Sequence, residues 1–103
     1  MSGKAKVSFY CLSCSPGKHL ADSRRSIHAP RGCAADTRYH PFGTLVTIEG
    51  WGTFRVDDRG GAIKGPNRFD IRLSSRGKCH RYGVKRLKYR VVSRPKNHKR
   101  SRH

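Results

Sequence analysis

Acidic residues are scarce in this chain: 6 Asp and Glu stand against 24 Lys and Arg among 103 residues. Three of them, Asp36, Asp58 and Asp70, nevertheless surround one glycine-rich segment, residues 57–65. Carboxylates grouped around such a loop are candidates for chemistry. Solvated surface charge is the competing explanation, so the placement of these three residues is the first thing that a structure has to decide.

Long apolar runs are also missing. No stretch approaches the roughly 18 to 20 apolar residues of a membrane span, and residues 1–6 lead into a strand-like segment without the apolar region of a signal peptide. The sequence therefore predicts a soluble chain that the general export route does not carry. If the protein works outside a cell, lysis, a virion or a leader absent from this sequence would account for its delivery.

The length and the residue pattern predict one all-β domain. A chain of 103 residues supports a single core, and its Val, Ile, Leu, Phe and Tyr residues fall in short runs separated by Gly and Pro. We expect a tight turn at Gly50-Trp51-Gly52, with Leu45, Thr47 and Glu49 on one face and Val46 and Ile48 on the other. The predicted strands are 7–10, 44–49, 53–57, 69–73 and 84–92.

The remaining segments are predicted to be irregular, helical or disordered. Turn residues dominate 11–32, and Ser74 is a suitable cap for a short helix over 75–82 that ends at Gly83. Residues 93–103 contain no apolar residue except Pro95, which predicts a disordered basic tail. The domain would then occupy residues 1–92.

The net charge of +18 predicts attraction to a polyanion. Nucleic acid, an anionic wall polymer or an acidic membrane surface would each satisfy it, because counterion release does not depend on the chemistry that carries the negative charge. Thirteen of the basic residues follow Asp70. They form either a solvated face with a tail or a docking surface for an anionic cell wall.

Several segments together resemble the three-aspartate (3D) domain, which occurs in membrane-bound lytic transglycosylase A and in small stationary-phase muralytic proteins of bacteria. The resemblance covers about residues 34–92. Its core is a Gly-Gly-Ala-Ile-Lys-Gly sequence with an aspartate on each side. The matching segments are Ala35-Asp36, Pro41-Phe42-Gly43-Thr44, Ile48-Glu49-Gly50-Trp51-Gly52, Asp58-Arg59-Gly60-Gly61-Ala62-Ile63-Lys64-Gly65 and Phe69-Asp70-Ile71.

This resemblance implies a six-stranded double-psi β-barrel that cleaves the peptidoglycan glycan strand without a metal or cofactor. Asp70 matches the catalytic acid/base, and Asp58 and Asp36 match its partners. One carboxylic acid suffices for lytic transglycosylation, since the MurNAc C6 hydroxyl replaces water and gives a 1,6-anhydro product. Hydrolytic glycosidases instead use two carboxylates roughly 5 to 9.5 Å apart.

The acid has to hold its proton near neutral pH, so its pKa must lie above the usual value of about 3.9. Burial beside Phe69 and Ile71 or repulsion from Asp58 would raise the pKa of Asp70, whereas Lys64 and Arg68 would lower it. The sequence leaves this balance open.

Substrate-binding roles are predicted for Lys64, Gly60, Gly61 and Trp51. The glycines allow backbone amides to approach a sugar, and Lys64 could bind a substrate oxygen or carboxylate. Trp51 would stack on a sugar face or close the end of the barrel. The loop is not a phosphate-binding P-loop, because Gly65 follows Lys64 where that motif needs Ser or Thr opening a helix, and Pro66 comes next.

Structural roles compete with catalysis for the other aspartates. Asp36 could accept backbone N–H bonds in a turn, Asp58 could belong to a network, and Asp57 is interpreted as an ordinary surface residue. The chain also departs from the family pattern at Arg59, which replaces a small Thr after the middle aspartate. The segment before Asp36 is only weakly matched by residues 20–23.

Four cysteines, Cys11, Cys14, Cys33 and Cys79, allow three pairings if they form two disulfides. Cys11 and Cys14 are also spaced as in a zinc knuckle, with histidines downstream, but no second close pair follows. Disulfides or free structural thiols are therefore favoured over a metal site.

The predicted function is a monomeric lytic transglycosylase of the cell wall, with peptidoglycan strands as substrate. A phage lysis or virion-associated role is a hypothesis from size, charge and the missing leader. The first alternative is a non-catalytic barrel that binds wall glycan through Trp51 and basic residues. The second is a nucleic-acid-binding protein driven by charge, against which the tail lacks interleaved aromatic residues.

Overall fold

A computed structural model describes residues 2–11, 20–22, 30–73 and 83–95 of the chain. Six strands close into one barrel in the order β1-β5-β2-β4-β3-β6, which confirms the all-β, six-stranded double-psi barrel. None of the described residues forms a helix of the length and apolar character that a membrane crossing requires. The strands are β1 (Ser2–Tyr10), β2 (Gly32–Ala35), β3 (Leu45–Ile48), β4 (Gly52–Asp58), β5 (Arg68–Arg72) and β6 (Lys85–Ser93).

Two of the six strand pairings are parallel. β1 runs parallel to β5, and β2 runs parallel to β4. Parallel neighbours cannot be joined by a hairpin, so the chain has to cross over before each of these pairs forms. As a result β2 lies between β4 and β5, and Ala34 pairs with Asp58 on one side and with Asp70 on the other.

Alternate side chains of the strands fill the barrel, as expected for a barrel of this small size. The predicted alternation in β3 is confirmed, since Val46 and Ile48 are fully buried while Leu45 and Thr47 stay partly exposed. Polar residues consequently lie on the outer wall. The buried core cluster contains Ala5, Val7, Cys33, Ala35, Val46, Ile48, Phe54, Val56, Phe69, Ile71 and Tyr89.

Strand β2 was not predicted from the sequence. Its four residues, Gly-Cys-Ala-Ala, are small and all buried, so they show neither alternation nor the β-branched and aromatic side chains that mark strands. Strand β1 is longer than predicted and begins at Ser2 rather than Val7, because its first half pairs with β6.

Several other predictions concern segment boundaries. Strand β6 extends to Ser93, one residue past the predicted end of the domain. The helix predicted over 75–82 and the tail beyond residue 95 lie outside the described residues and stay predictions. The turn at Gly50-Trp51-Gly52 is confirmed, and both glycines have positive φ, 81° and 101°, a conformation that favours glycine.

Candidate active site on the outer wall of the barrel

Asp70 lies at the centre of the outer wall, on β5. Its neighbours Phe69 and Ile71 are fully buried in the barrel, so the alternation of the strand turns Asp70 outward, where it is partly exposed. Its register partner on β1 is Ser8. The Ser8 hydroxyl donates a hydrogen bond of 2.8 Å to Asp70 Oδ1.

The pKa of Asp70 is raised above its ordinary value. Burial is the largest cause and disfavours the ionised form. The hydrogen bond from Ser8 and the charge of Arg68 lower the pKa, and repulsion from Asp58 raises it. The balance that the sequence left open therefore favours a carboxyl group that keeps its proton to higher pH than a free aspartate.

Asp58 ends β4 and is held by three donors. Tyr10 Oη donates to its Oδ2 over 3.1 Å, while the backbone amides of Ala21 and Arg59 donate to its Oδ1 over 3.0 and 2.9 Å. The side chain is only 8% exposed. These bonds fix the orientation of Asp58.

Asp58 and Asp70 flank the same residue, Ala34 of β2. Two strand spacings separate their Cα atoms, roughly 10 Å, and the two groups are close enough for Asp58 to raise the pKa of Asp70. Ser8 and Tyr10 face them from β1. The site is thus built from three parts of the chain that are distant in sequence.

Asp57 was predicted to be an ordinary surface residue, and that prediction is wrong. Its side chain is fully buried and accepts two hydrogen bonds from the Arg72 guanidinium, Nη1 to Oδ1 at 2.7 Å and Nη2 to Oδ2 at 2.8 Å. The cause is a β-bulge: Cys33 pairs with Val56 but Ala34 pairs with Asp58, so Asp57 is the extra residue and leaves the simple alternation.

The buried ion pair of Asp57 and Arg72 packs against Gly32, and its polar contacts continue toward the outer wall. A side chain at Gly32 would collide with Arg72 and Asp57. Arg72 Nη1 also lies 3.5 Å from Tyr10 Oη, and Tyr10 in turn donates to Asp58. A continuous polar chain therefore supports Asp58 from inside the wall.

Asp36 follows β2 and connects it to the glycine-rich loop. Its carboxylate accepts two side-chain hydrogen bonds from Arg38, at 2.9 and 2.6 Å, and one from the Gly65 amide at 2.8 Å. The Arg38 guanidinium, followed by the Gly65 amide, holds the pKa of Asp36 well below its usual range. Its hydrogen bonds therefore fit the structural role considered for this residue.

The predicted substrate-binding residues lie in different places. Gly61 and Lys64 are exposed on the loop, whereas a side chain at Gly60 would press against Ile63. Trp51 packs on Phe9 with ring centroids 4.8 Å apart. It lies against the core cluster, which fits the predicted closing of the barrel end, and stacking of Trp51 on a sugar stays a prediction.

Sequence reasoning missed the supporting residues of the site. Ser8 and Tyr10 alternate with Val7 and Phe9, which predicts an outward position, but nothing local indicates which strand they face. The segment at residues 20–22 matched the family poorly, yet Ala21 N bonds Asp58. The Asp22 amide also donates to Asp57 O over 3.0 Å.

Arg59, the departure from the family pattern, does not disturb Asp58. Its backbone amide donates to the Asp58 carboxylate. Its guanidinium lies over the Phe42 ring, 5.2 Å from the ring centroid. The large cation is therefore directed onto an aromatic ring, where the interaction is favourable.

The cysteines do not form two disulfides. Cys11 is disulfide-bonded, and Cys33 is a free thiol buried in the core. Burial raises the pKa of Cys33, which makes it an unreactive structural thiol. Cys14 and Cys79 lie outside the described residues, and within the described ranges no group of three or more His, Cys, Asp or Glu residues could hold a metal ion.

The family of the chain follows from the segment that contains this site. The family described as 3D domain matches residues 31–93, which include Asp36, Asp58 and Asp70. The chain belongs to the 3D domain family. Strand β1, with Ser8 and Tyr10, precedes the matched segment and completes the barrel around the 3D domain.

Two proteins of Bacillus subtilis (strain 168) are similar in sequence to this 3D domain chain. One is the cell wall-binding protein YocH, 37% identical over 60 residues, which are 58% of this chain and 21% of YocH. The other is the putative cell wall shaping protein YabE, 28% identical over 83 residues, 81% of this chain and 20% of YabE. The matched segments thus represent about a fifth of each relative.

Solved structures share the fold. An expansin from Clavibacter michiganensis aligns with a TM-score of 0.63 at 20% identity, over 92% of this chain and 52% of the expansin. MltA from E. coli aligns with a TM-score of 0.57 at 23% identity, over 76% of this chain and 28% of MltA. At these identities the likeness concerns the barrel itself.

Proposed function

We propose that this protein is a lytic transglycosylase that cleaves the MurNAc-GlcNAc β-1,4 bond of peptidoglycan and leaves 1,6-anhydro-MurNAc ends. The observation that carries the proposal is Asp70, a partly exposed carboxyl group with a raised pKa on the outer wall of a 3D domain. The fold shared with MltA, described as a lytic transglycosylase, supports it.

Asp70 acts in two steps. As the acid, it donates its proton to the glycosidic oxygen while the bond to the MurNAc anomeric carbon breaks. As the carboxylate, it accepts the proton of the MurNAc C6 hydroxyl while that oxygen attacks the anomeric carbon. The group ends in its starting protonation state, and no water is consumed.

The other predicted site residues support this chemistry. Asp58, fixed by Tyr10 and two backbone amides, maintains the negative charge that raises the pKa of Asp70. Asp36 holds the glycine-rich loop in place through Gly65. Gly60, Gly61 and Lys64 on this loop, and Trp51 at the barrel end, are the proposed contacts with the sugar strand.

The direct test is mass spectrometry of the soluble products released from purified peptidoglycan. Wild type is expected to release anhydro-MurNAc ends, and Asp70→Asn to lower the rate by about 10² to 10⁴-fold, the usual contribution of a general acid/base. Glu49→Gln, in the turn between β3 and β4, is the matched control. Reducing ends, or full activity of Asp70→Asn, would contradict the mechanism.

The pH dependence of the rate tests the role of the acid separately. Activity should fall on the alkaline side as Asp70 loses its proton. The hydrogen bond from Ser8 lowers the pKa of Asp70, so Ser8→Ala should move this alkaline limb to higher pH. Thr53→Ala, whose hydroxyl pairs with Thr47 on the other side of the barrel, should leave the limb where it is.

A second candidate is a non-catalytic module that binds wall glycan. YocH is described as cell wall-binding, and a point mutant of the Clavibacter michiganensis expansin has been solved in complex with cellohexaose. Binding of the protein to peptidoglycan that is unchanged in Asp70→Asn, with no soluble product from either protein, would favour this candidate.

The site of action proposed here is the bacterial cell wall, in agreement with the names of YocH and YabE. Monomeric action, delivery by lysis or a virion, and non-specific nucleic-acid binding stay predictions from the sequence. Sedimentation equilibrium at working concentration checks the first of these.

A further inference from the structure

The outer wall of the barrel carries a dense group of cations beside the proposed active site. These residues lie on three adjacent strands, β6, β1 and β5, and all except Arg68 are exposed. We call them the basic strip. Its members are Lys4, Lys6, Arg68, Arg86, Lys88 and Arg90.

The register places like charges directly opposite one another in the basic strip. Lys4 pairs with Lys88, and Lys6 pairs with Arg86 on one side and with Arg68 on the other. Like charges at opposite positions destabilise a sheet. Glu49 is the acid bonded to this region, with its Oε1 accepting the backbone amide of Lys88 at 3.0 Å. Arg68 has a structural role, since its Nη1 donates to the backbone carbonyls of Lys6 and Phe69 at 3.2 and 2.7 Å. The facing cations of β1 and β6 repel one another, and an anionic ligand would relieve that repulsion.

The basic composition of the chain does not by itself explain this arrangement. On the outer positions of β3 and β4, Leu45 pairs with Arg55 and Thr47 pairs with Thr53. Those two pairs contain one cation, whereas the two pairs centred on Lys4 and Lys6 between β1 and β6 contain four. The outer positions shared by β1 and β6 are therefore richer in cations than those shared by β3 and β4.

We propose that the basic strip docks an anionic polyol-phosphate polymer of the bacterial wall. The proposal rests on the proposed action at the wall. The Cα atoms of residues two apart on one strand are roughly 6.6 Å apart, and those on adjacent strands roughly 4.8 Å, so the side chains of the strip start from closely spaced points. A polymer with a phosphate in every short repeat matches this density, whereas the carboxylates of peptide stems are spaced more widely along a glycan strand.

The strip also differs from a surface built for single-stranded nucleic acid. Such surfaces combine cations with aromatic rings on which the bases stack. The outer positions that flank the strip are Ser2 and Ser8 on β1, Asp70 on β5 and Val92 on β6, none of which is aromatic. The charge complementarity is thus to a phosphodiester backbone without bases.

The strip leads directly into the proposed active site. On β1, the outer position after Lys6 is Ser8, and on β5 the outer position after Arg68 is Asp70. A polymer bound along the strip would hold the barrel at the wall with Asp70 next to it. Variants that differ only in docking should therefore differ in the amount of enzyme bound to the wall and in the apparent KM, and should have the same kcat.

The experiment measures binding of full-length protein to purified Gram-positive walls by co-sedimentation, before and after hydrofluoric acid extraction of the polyol phosphate. The test variant is Lys4→Gln with Lys88→Gln. The matched control is Arg55→Gln with Arg94→Gln, which removes the same two charges from exposed positions outside the strip. Circular dichroism and urea unfolding establish that both variants are folded.

We expect the strip variant to bind untreated walls roughly tenfold more weakly, with a salt slope smaller by about 1.4 to 1.8 for two lost phosphate contacts. The control variant should change little, and extraction should abolish the difference between the two. Product release from extracted walls should be equal in both variants. A failure of catalysis is thereby distinguished from a failure of docking.

Three results would overturn the proposal. Equal losses in the two variants would mean that net charge alone drives binding. Binding that is unaffected by extraction would mean that the strip does not bind polyol phosphate. Duplex DNA that displaces the protein from untreated walls at physiological salt, with the strip variant impaired in DNA binding, would assign the strip to nucleic acid.

Discussion

Two pairs of aspartates in the same barrel wall have opposite surroundings. Asp36 and Asp57 each bind an arginine, Arg38 and Arg72, through paired hydrogen bonds. A guanidinium stays charged at any relevant pH and fits a carboxylate in this geometry. These two buried aspartates are thereby held as structural ties, Asp36 by an exposed arginine and Asp57 by a buried one.

Asp58 and Asp70 instead bind hydroxyl groups of β1. Tyr10 donates to Asp58, and Ser8 donates to Asp70. A hydroxyl group brings no positive charge, so the Ser8 hydroxyl does not prevent burial from raising the pKa of Asp70. The arginine-bound aspartates thus hold the wall together, Asp58 is oriented by Tyr10 and two backbone amides, and Asp70 is the carboxyl group proposed for proton transfer.

The largest predicted effect comes from breaking the buried arginine pair. Asp57→Asn leaves the Arg72 charge uncompensated in the wall, and we expect the free energy of unfolding to fall by about 3 to 5 kcal/mol. Urea denaturation measures it. The double variant Asp57→Leu with Arg72→Leu should regain most of the loss, since no buried charge is left. A loss below about 1 kcal/mol in Asp57→Asn would refute the structural role.

The next effect tests the glycine under that pair. In Gly32→Ala the new methyl group collides with Arg72 and Asp57, and we expect a loss of about 1 to 3 kcal/mol, as for overpacking. Gly61→Ala is the control, because a side chain there meets nothing within 4 Å. Equal melting temperatures of the two variants would show that the ion pair can rearrange around the methyl group without a loss of stability.

A smaller effect is expected from the hydroxyl that holds Asp58. Tyr10→Phe removes its hydrogen bond to Asp58, which should lower stability by about 1 kcal/mol and the rate of anhydro-product release by roughly tenfold. The exposed Tyr39 offers the control Tyr39→Phe. A rate unchanged in Tyr10→Phe would mean that Asp58 does not need this orientation.

The smallest effect concerns the pH dependence of stability, to which Asp36 and Asp70 should contribute with opposite signs. Folding lowers the pKa of Asp36. Its contribution to stability is therefore complete above the unfolded pKa of about 3.9 and is lost as pH falls through the folded pKa. The pKa of Asp70 is raised, so its contribution is complete below about 3.9 and is lost as pH rises through its folded pKa.

Asp36→Asn should therefore destabilise the protein at pH 7, and Asp70→Asn should not destabilise it or should stabilise it. Both differences from wild type should shrink toward pH 3. Urea midpoints between pH 3 and 7 give the comparison. Two variants that depart from wild type in the same direction at pH 7 would contradict the division of the aspartates into two classes.

Local patterns predicted part of the fold well. The alternation of β3, the glycine turn and the strand of Phe69 and Ile71 each depend on neighbouring residues, and all were correct. Strand β2 was not predicted, because its small residues are buried on both faces and a strand of that kind shows no period-two alternation. Asp57 was misplaced because a bulge between β2 and β4 shifts the register, and a bulge has no signature in one strand's sequence.

By itself, the sequence determined that the chain is all-β and strongly basic, and its resemblance to the 3D domain implied the barrel and the grouping of Asp36, Asp58 and Asp70. Only the tertiary structure decided which carboxylates meet arginine and which meet a hydroxyl. Ser8 and Asp70 are 62 residues apart, and Tyr10 and Asp58 are 48 apart. The physical reason is that a pKa depends on burial and on neighbouring charges in space, and closure of the barrel sets both.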